Sequence, residues 1–421
     1  MRRREFLRVA SSGAALTLAG VAPRPARAQG RTLKIGYVSP QTGPLAGFGE
    51  TDSFVLAGIR KTVSSVTVKG GRSYPVEIIV RDSQSDPNRA AEVASRLILS
   101  DKIDLMLVAS TPETTNPVSD QCEVNGTPCV STMCPWQPWF FARGGKPDTG
   151  FKSTYHFFWG LEDIIGVFLD MWGSLPTNKV VGALWPNDGD GNAWGDKERG
   201  FPPALAKAGY TLVDPGRYPN LSDDFSAQIS AFKSAKVEIV TGVPIPPDWT
   251  TFWKQAAQQG FKPKIASVGK ALLFPRSVEA LGPLGTGMST EVWWSPQHPF
   301  KSSLTGATAG QLAAAYTQET KKQWTQPLGF VHGLFEVGID SLKRATSVDD
   351  KAAIIAAIKA TNLNTIVGPI SWAKGPVPNV TKTPLVGGQW VKGTQFPFDV
   401  VIVSNKSAPN IPTAGTLKPL G

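Results

Sequence analysis

Histidine and cysteine are scarce in this sequence, and the patterns that mark common catalytic or metal sites are missing. The chain of 421 residues has three of each. They are His156, His298, His332, Cys122, Cys129 and Cys134. Neither set has the spacing of a metal site. No GxSxG, HExxH or GxxxxGK[ST] pattern is present, and no GxGxxG follows a strand. We therefore expect no metal, no cofactor and no enzymatic activity.

The three cysteines lie within thirteen residues of each other. In an oxidising compartment one disulfide could form and leave one thiol over. Burial of all three as small apolar side chains is an equal alternative, and the sequence does not choose between them.

Long apolar runs are also absent from the body of the chain, where no stretch of about 18 residues could span a bilayer. The N-terminus is different, with the sequence MRRREFLRVASSGAALTLAGVAPRPARA. A basic start, a short apolar stretch and small residues at a cleavage site are typical of a signal peptide, and Arg3 and Arg4 resemble a twin-arginine signal. We expect residues 1–28 to be this signal, cleavage after Ala28, and a periplasmic location.

The charge pattern does not favour nucleic acid as a partner. The formal net charge is +10. Because residues 1–28 hold six arginines and one glutamate, the remaining chain carries only about +5. The lysines form no basic stripe with interleaved aromatic residues, so we expect no nucleic-acid binding.

From Leu33 onward, strand-like apolar runs alternate with amphipathic helices, which predicts an α/β fold with parallel sheets. Nine strands are predicted before residue 295, in the runs LKIGYVS, VEIIVRD, IDLMLVAS, TPCVST, YHFFWG, KVVGALW, VEIVTGV, PKIASVG and MSTEVWW. Helices are predicted to begin at Asp86, followed by Pro87, and at Asp248. We expect residues 131–154, rich in aromatic residues and glycine, to lie outside the core.

Two features indicate a binding cleft. Ser110, Thr111 and Pro112 come directly after a predicted strand and before a helix, where free backbone N–H groups can bind an anion; a simple helix cap is the alternative. The second feature is the 13 tryptophans. Five of them are predicted at strand ends or in loops, where they could form apolar walls around a small molecule. These are Trp136, Trp139, Trp159, Trp185 and Trp194.

The segment LKIGYVSPQTGPLAGFGETDSFVLAGI resembles the start of the type I periplasmic binding proteins of the branched-chain and hydrophobic amino acid importers. The likeness continues through VRDSQSDPNRAAEVASRLI and IDLMLVAS to the closing GQWVKGTQFPFDVVIVSN. It covers nearly all of residues 31–405. The resemblance implies two doubly wound α/β lobes joined by a three-strand hinge.

The same resemblance implies a function and a domain division. Lobe one would be residues 31–158 plus 297–367, and lobe two residues 161–293 plus 371–421. The chain would cross between them near Phe158–Gly160, Trp294–His298 and Val367–Ser371. The lobes would close on a small-molecule ligand and deliver it to an ABC transporter permease in the inner membrane. We expect a monomer.

The resemblance also implies binding residues. Phe48 matches an aromatic residue of the cleft, and Ser110, Thr111 and Pro112 match the first-lobe contacts of a ligand carboxylate. The other matching or adjoining positions are Met133, Pro135, Trp136, Trp194, Ile245, Gly269 and Lys270.

One position departs from the family pattern. The acidic residue that holds an α-ammonium group would fall on Gly269, with Lys270 beside it. Because a buried ammonium needs a carboxylate partner, we expect a carboxylated and possibly aromatic ligand without an amine. An alignment shifted onto Asp248 or Glu279 would reverse this expectation, and a solvated Lys270 is a further alternative.

Two other functions remain open from the sequence. The first is a ligand sensor of the same fold that signals to a membrane receptor. The second is an exported enzyme with a site assembled from distant residues, since many twin-arginine substrates carry redox cofactors.

Overall fold

The computed structural model describes residues 31–421, so the signal sequence and its cleavage site at Ala28 lie outside the described residues. The chain folds as a mixed α/β protein with two large sheets. The strands are β1 Leu33–Ser39, β2 Ser65–Thr67, β3 Ser73–Asp82, β4 Leu105–Ala109, β5 Cys129–Thr132, β6 Thr154–Phe157, β7 Val180–Pro186, β8 Thr211–Val213, β9 Arg217–Tyr218, β10 Ile239–Gly242, β11 Ile265–Val268, β12 Ser289–Val292, β13 Asn362–Thr365, β14 Gly368–Ser371, β15 Val380–Thr381, β16 Val386–Lys392 and β17 Phe398–Ser404. All nine predicted strands are confirmed.

Helices cover the sheets. They are α1 Asp52–Thr62, α2 Pro87–Leu99, α3 Pro112–Val124, α4 Trp136–Phe140, α5 Leu161–Gly173, α6 Gly189–Trp194, α7 Phe201–Lys207, α8 Ser226–Ser234, α9 Pro246–Gln258, α10 Pro275–Glu279, α11 Ala309–Thr320, α12 Pro327–Arg344 and α13 Lys351–Lys359. None of the helices within residues 31–421 has the length and apolar character needed to span a bilayer.

Helix α2 begins as predicted: the Asp86 carboxylate accepts a hydrogen bond from the backbone N–H of Arg89 at 2.7 Å, and Pro87 is the first helical residue. Helix α9 differs from the prediction, because it begins at Pro246 rather than at Asp248. Proline is favoured in the first helical turn, where its missing N–H is not needed.

The first sheet has the strand order β15-β6-β5-β4-β1-β3-β2, and the second has β17-β16-β12-β11-β10-β7-β8. The central strands are parallel, with Ile35 beside Leu105 in the first sheet and Ile239 beside Ile265 in the second. Strands β4 and β10 are buried at every position because helices cover both faces, as in other parallel sheets. The α/β class and the two-lobed arrangement are confirmed.

The third crossing between the lobes lies later in the chain than predicted. Strand β15 pairs with β6, with Val380 beside His156, and so belongs to the first sheet. The chain therefore enters the second sheet between Thr381 and Val386, and the prediction of a crossing at Val367–Ser371 is wrong in this detail. Strands β13 and β14 form a separate antiparallel pair, and this hairpin precedes the crossing.

The aromatic segment from residue 131 to 154 also differs from the prediction. It contains α4 and contributes buried side chains, among them Trp139 and Phe140, to a small core cluster with Cys134 and Val380. Trp139 stacks on His156 with ring centroids 4.8 Å apart. Aromatic side chains therefore give this segment a core of its own.

Candidate functional site

A narrow cavity of about 20 Å³ lies where the two sheets face each other. This is room for about one water molecule, so a small-molecule ligand can enter only if the lobes move apart. It lies at the carboxyl ends of the parallel strands of both sheets, the edge at which open α/β folds bind ligands. It is lined by Phe48, Thr111, Met133, Pro135, Phe158, Trp159, Asp190, Trp194, Val243, Lys270, Leu273, Glu291 and Trp293.

The first-lobe wall centres on the N-terminus of α3, directly after β4. Thr111 is the residue before this helix, but its side chain makes no capping hydrogen bond. The hydroxyls of Ser110, Thr111 and Thr114 are buried without a hydrogen-bond partner among residues 31–421. A buried hydroxyl without a partner costs about 1–3 kcal/mol. These hydroxyls, at the start of the helix, can donate to a ligand acceptor such as a carboxylate.

The second-lobe wall contains a buried lysine. The Lys270 side chain is 3% exposed, and its ammonium lies 3.0 Å from Asp188 Oδ2 and 2.8 Å from Asp190 Oδ2. Burial disfavours the charged ammonium, but the two carboxylates outweigh this and hold the pKa of Lys270 well above its ordinary value. Lys270 is therefore a neutralised internal cation, and the alternative of a solvated lysine is wrong.

The backbone at Lys270 is strained. Its φ is +54° and its ψ is −64°, and the N–H of Ala271 donates to the Gly269 carbonyl at 2.5 Å. This is a γ-turn of the rare positive-φ type. Such conformations cost on the order of 1–3 kcal/mol and are concentrated at functional sites.

Glu291 is a further buried carboxylate in this wall. It lies on β12, and its Oε1 accepts a hydrogen bond from the backbone N–H of Lys270 at 3.2 Å. Burial raises the pKa of Glu291 to about 7. Burial also raises the pKa of Asp190 to about 7; Lys270 opposes this shift, and the carboxylates of Glu113 and Asp188 add to it. The second-lobe wall is therefore richer in acid than the sequence indicated.

Several indole N–H groups at the cavity are also unpartnered. Those of Trp159, Trp194 and Trp293 are buried and make no hydrogen bond within the described part of the chain. Trp194 stacks on Phe201 with ring centroids 5.1 Å apart. The cavity thus has aromatic walls with polar edges, which suits a small ligand with an apolar body.

The structure brings six of the predicted site residues together at this cavity. They are Phe48, Thr111, Met133, Pro135, Trp194 and Lys270. Met133 has a φ of +77°, unusual for a residue with a side chain. Phe48 meets Phe274 of the second lobe edge-on, with ring centroids 5.2 Å apart.

Five predicted residues do not line the cavity. Ser110 is buried beside Thr111, and Pro112 lies against Gly189 of the second lobe. Trp136 packs on Phe140 and Phe141 instead, and its indole donates to Glu162.

Ile245 precedes α9, while Val243 takes the place at the cavity that was predicted for it. Gly269 has no side chain to present, and neither Asp248 nor Glu279 lines the cavity. The shifted alignments therefore do not supply the missing acid. Of the other tryptophans predicted as walls, Trp139 and Trp185 are fully buried in packing, and Trp159 does line the cavity.

The sequence prediction missed several lining residues. Phe158 lies at the first predicted crossing between lobes and Trp293 directly before the second, so their position near the hinge could have indicated a place in the cleft. Asp190 lies four residues before Trp194 and was not predicted. Glu291 gave no sequence signal, because it is a single acid in a short strand of sequence STEV.

The cysteines and histidines are accounted for by burial. Cys122, Cys129 and Cys134 are free and buried. Burial lowers the pKa of His156 and of His298 to about 3, so both are neutral at pH 7. Within residues 31–421 no group of acidic, histidine or cysteine side chains could hold a metal ion.

Comparison with known proteins identifies the family. A sequence profile described as periplasmic binding protein matches residues 32–394. The chain belongs to the periplasmic binding protein family. A relative in Brucella melitensis, named Leu/Ile/Val-binding protein homolog 3, is 24% identical over 352 residues, which cover 81% of this chain and 87% of the relative.

Solved structures agree on the fold of this binding protein. A leucine-binding protein from Thermotoga maritima superposes with a TM-score of 0.73 at 19% identity, covering 89% of this chain and 99% of that one. A solute-binding protein of an ABC transporter from Rhodopseudomonas palustris, solved with 3,4-dihydroxybenzoic acid, has a TM-score of 0.72 at 18% identity and covers 90% and 99% of the two chains. The relatives are solute-binding proteins, and the family is periplasmic.

Proposed function

We propose that this protein captures a small molecule between its two lobes in the periplasm and delivers it to an ABC importer, without catalysing a reaction. The cavity carries the proposal. Thr111 on one lobe and Asp190 on the other each present a buried polar atom that has no partner among the described residues. A ligand held between the lobes would pair both atoms at once and so favour closure.

The ligand proposed from the sequence is a carboxylated molecule without an amine. The first-lobe wall supports the carboxylate, because the hydroxyls of Ser110, Thr111 and Thr114 at the start of α3 are unpartnered donors. The amine was excluded because the sequence offered no carboxylate partner beside Lys270. The geometry weakens this reason, since Asp188 and Asp190 lie at 3.0 and 2.8 Å from the Lys270 ammonium. The similar proteins include one named for leucine, isoleucine and valine and one solved with 3,4-dihydroxybenzoic acid, so the fold accepts either chemistry.

The first experiment is a thermal-shift screen of the purified mature protein against amino acids, aromatic acids, dicarboxylates and amides. A ligand at 1,000 times its dissociation constant adds about 4 kcal/mol to the free energy of unfolding. We expect a clear rise in melting temperature with at least one compound, together with a smaller radius of gyration by X-ray scattering. A protein that responds to no compound and does not close would contradict the proposal.

Delivery to an importer is tested in cells. We expect deletion of the gene to abolish uptake of the radiolabelled ligand, and the wild-type gene to restore it. Uptake that persists unchanged in the deletion strain would favour a ligand sensor instead.

A further inference from the structure

The turn that joins α3 to β5 brings two cysteines together. Helix α3 ends in a Schellman motif, in which the N–H of Thr127 donates to the Cys122 carbonyl at 2.8 Å and the N–H of Gly126 donates to the Glu123 carbonyl at 3.3 Å. Gly126 has the positive φ, +56°, that this motif requires. The motif turns the chain back on the last turn of the helix, so Cys129, two residues after Thr127, lies beside Cys122.

Hydrogen bonds to a single serine hold the two cysteines in place. The Cys129 N–H donates to the Ser153 carbonyl at 3.0 Å, and the Ser153 hydroxyl donates to the Cys122 carbonyl at 3.3 Å. Both cysteines are thiols in the structure, and their side chains are fully buried in the same core cluster. The two thiols hydrogen-bond to each other. Two sulfurs in contact across so short a loop are placed to form a disulfide bond.

The third cysteine belongs to a different part of the core. Cys134 lies in the small aromatic cluster with Trp139, and its sulfur is 4.0 Å from His156 Nε2. The sequence left open which cysteines could pair. The geometry favours Cys122 with Cys129 and leaves Cys134 over.

We propose that Cys122 and Cys129 are joined by a disulfide bond in the exported protein, while Cys134 stays a thiol. This rests on the periplasmic location in the proposed function, because the periplasm is an oxidising compartment. The bond would fasten the C-terminal end of α3, the helix whose start carries Thr111 at the cavity.

The bond forms by thiol–disulfide exchange with a disulfide-carrying protein of the periplasm. The thiolate of one cysteine attacks a sulfur of the oxidant, forms a mixed disulfide and displaces the other sulfur of the oxidant as a thiolate. The second cysteine then attacks the mixed disulfide and releases the oxidant as a dithiol. Two electrons and two protons pass from the cysteine pair to the oxidant, so the exchange balances.

A local opening of α3 makes the sulfurs reachable in the folded protein. Burial raises the pKa of the Cys122 thiol well above its ordinary value, so the packed thiol reacts slowly. The last turn of the helix lies at the surface, where the Val124 side chain is 84% exposed. Because the two cysteines are close in the chain, unwinding this turn uncovers them while the two sheets stay folded.

The test counts free thiols in the wild-type protein isolated from the periplasmic fraction. The protein is unfolded in guanidinium chloride with iodoacetamide, with and without prior reduction, and its intact mass is measured. We expect one adduct without reduction and three adducts after it, and a peptide map that links Cys122 to Cys129. Three adducts without reduction, or a link that includes Cys134, would overturn the proposal.

Serine variants check the pairing. Cys122→Ser frees the Cys129 thiol, so we expect two adducts without reduction, and the matched control Cys134→Ser should take none. Reduction should lower the melting temperature of the wild type by about 3–8 °C and leave that of Cys122→Ser unchanged. A Cys122→Ser protein that takes only one adduct would show that Cys129 pairs elsewhere, against the proposal.

The outcomes separate this pairing from the proposed function. Three free thiols in a protein that is found in the periplasm overturn the pairing alone. If the protein is absent from the periplasmic fraction, the proposed function fails, and the pairing is measured on purified, reduced protein refolded with oxidised glutathione. A Cys122–Cys129 link then supports the geometry, and three thiols that stay reduced contradict it. Because the thiol count is made on the wild type, it stands even if the serine variants do not fold.

Discussion

At the scale of single residues, Lys270 is the group on which the second-lobe wall depends. Replacing it by methionine would leave Asp188 and Asp190 buried beside each other without a cation. Removing one member of a buried pair typically costs about 3–5 kcal/mol. We expect Lys270→Met to lower the free energy of unfolding by about that amount in urea denaturation at pH 7.

A matched lysine is available for comparison. Lys264 pairs with Glu238 at 3.0 Å on the same lobe, but its side chain is 48% exposed. Exposed ion pairs contribute about 0–1 kcal/mol, so Lys264→Met should have little effect. Equal losses in the two variants would contradict the structural role given to Lys270.

Glu291 should also produce a pH effect in the unliganded protein. Its pKa is about 7 in the folded state, against an ordinary value near 4.5. Between these values the folded state keeps a proton that the unfolded chain releases, so this group makes the free energy of unfolding fall as pH rises from about 4.5 to 7. Lys270, Asp188, Asp190 and Glu113 are the charged groups around this wall, and they remain in the variant.

We therefore expect Glu291→Gln to be more stable than the wild type at pH 8, by an amount on the order of 2–3 kcal/mol, and to match it near pH 4. Calorimetric melting temperatures at several pH values measure the difference. A stability difference that does not change with pH would show that Glu291 does not titrate in this range.

At the scale of secondary-structure elements, α3 and α11 begin in different ways. The Thr308 side chain accepts a hydrogen bond from Gln311 N–H at 3.1 Å and caps α11, whereas Thr111 makes no such bond at α3. We expect Thr308→Val to cost about 1 kcal/mol of stability without changing ligand affinity. Thr111→Val should stabilise the unliganded protein, by about 1–3 kcal/mol, because it removes a buried hydroxyl without a partner, and it should weaken ligand binding at least about 10-fold.

Denaturation and calorimetry on both threonine variants check this pair of expectations. A destabilised Thr111→Val with normal affinity would mean that Thr111 is a structural cap after all, which was the alternative left open by the sequence.

The elements themselves were largely predictable, because parallel strands leave a strong local pattern. Strand β1 has the bounds Leu33–Ser39 that its apolar run predicts, and Asp86 caps α2 as expected. Strand β15 could not be predicted in this way, because a strand of two residues is too short to show a pattern of apolar residues.

The site was less predictable than the fold. Positions directly after strands, such as Thr111 and Lys270, can be located from the pattern alone. The position of Glu291 at the cavity cannot be located in this way. It depends on how β12 pairs with β11, where Ser289 lies beside Ser267. The spacing along the sequence predicted an acidic residue at position 269, where the chain has glycine. In the folded sheet, Glu291 of the neighbouring strand lies beside Gly269 instead.

At the scale of the whole molecule, direct contacts hold the two lobes together. Glu113 in the first turn of α3 accepts a hydrogen bond from the backbone N–H of Gly189, at the start of α6 on the other lobe, at 2.5 Å. Phe48 meets Phe274 across the same gap. Because these contacts join the two lobes, separating the lobes would break them, and they therefore stabilise the arrangement seen here.

We expect Glu113→Ala to shift the protein toward the open state, because a hydrogen bond to a charged group contributes about 1.5–3 kcal/mol. Ligand dissociation, followed by stopped-flow tryptophan fluorescence, should become at least about 10-fold faster, and the radius of gyration of the unliganded protein should increase. Glu92→Ala is the matched control, since Glu92 pairs only with Arg89 on the exposed face of α2. The start of α3 contributes both to the contact between the lobes and to the cavity. If Glu113→Ala leaves the dissociation rate unchanged, the Glu113–Gly189 contact does not slow ligand release, and the cavity walls alone hold the ligand.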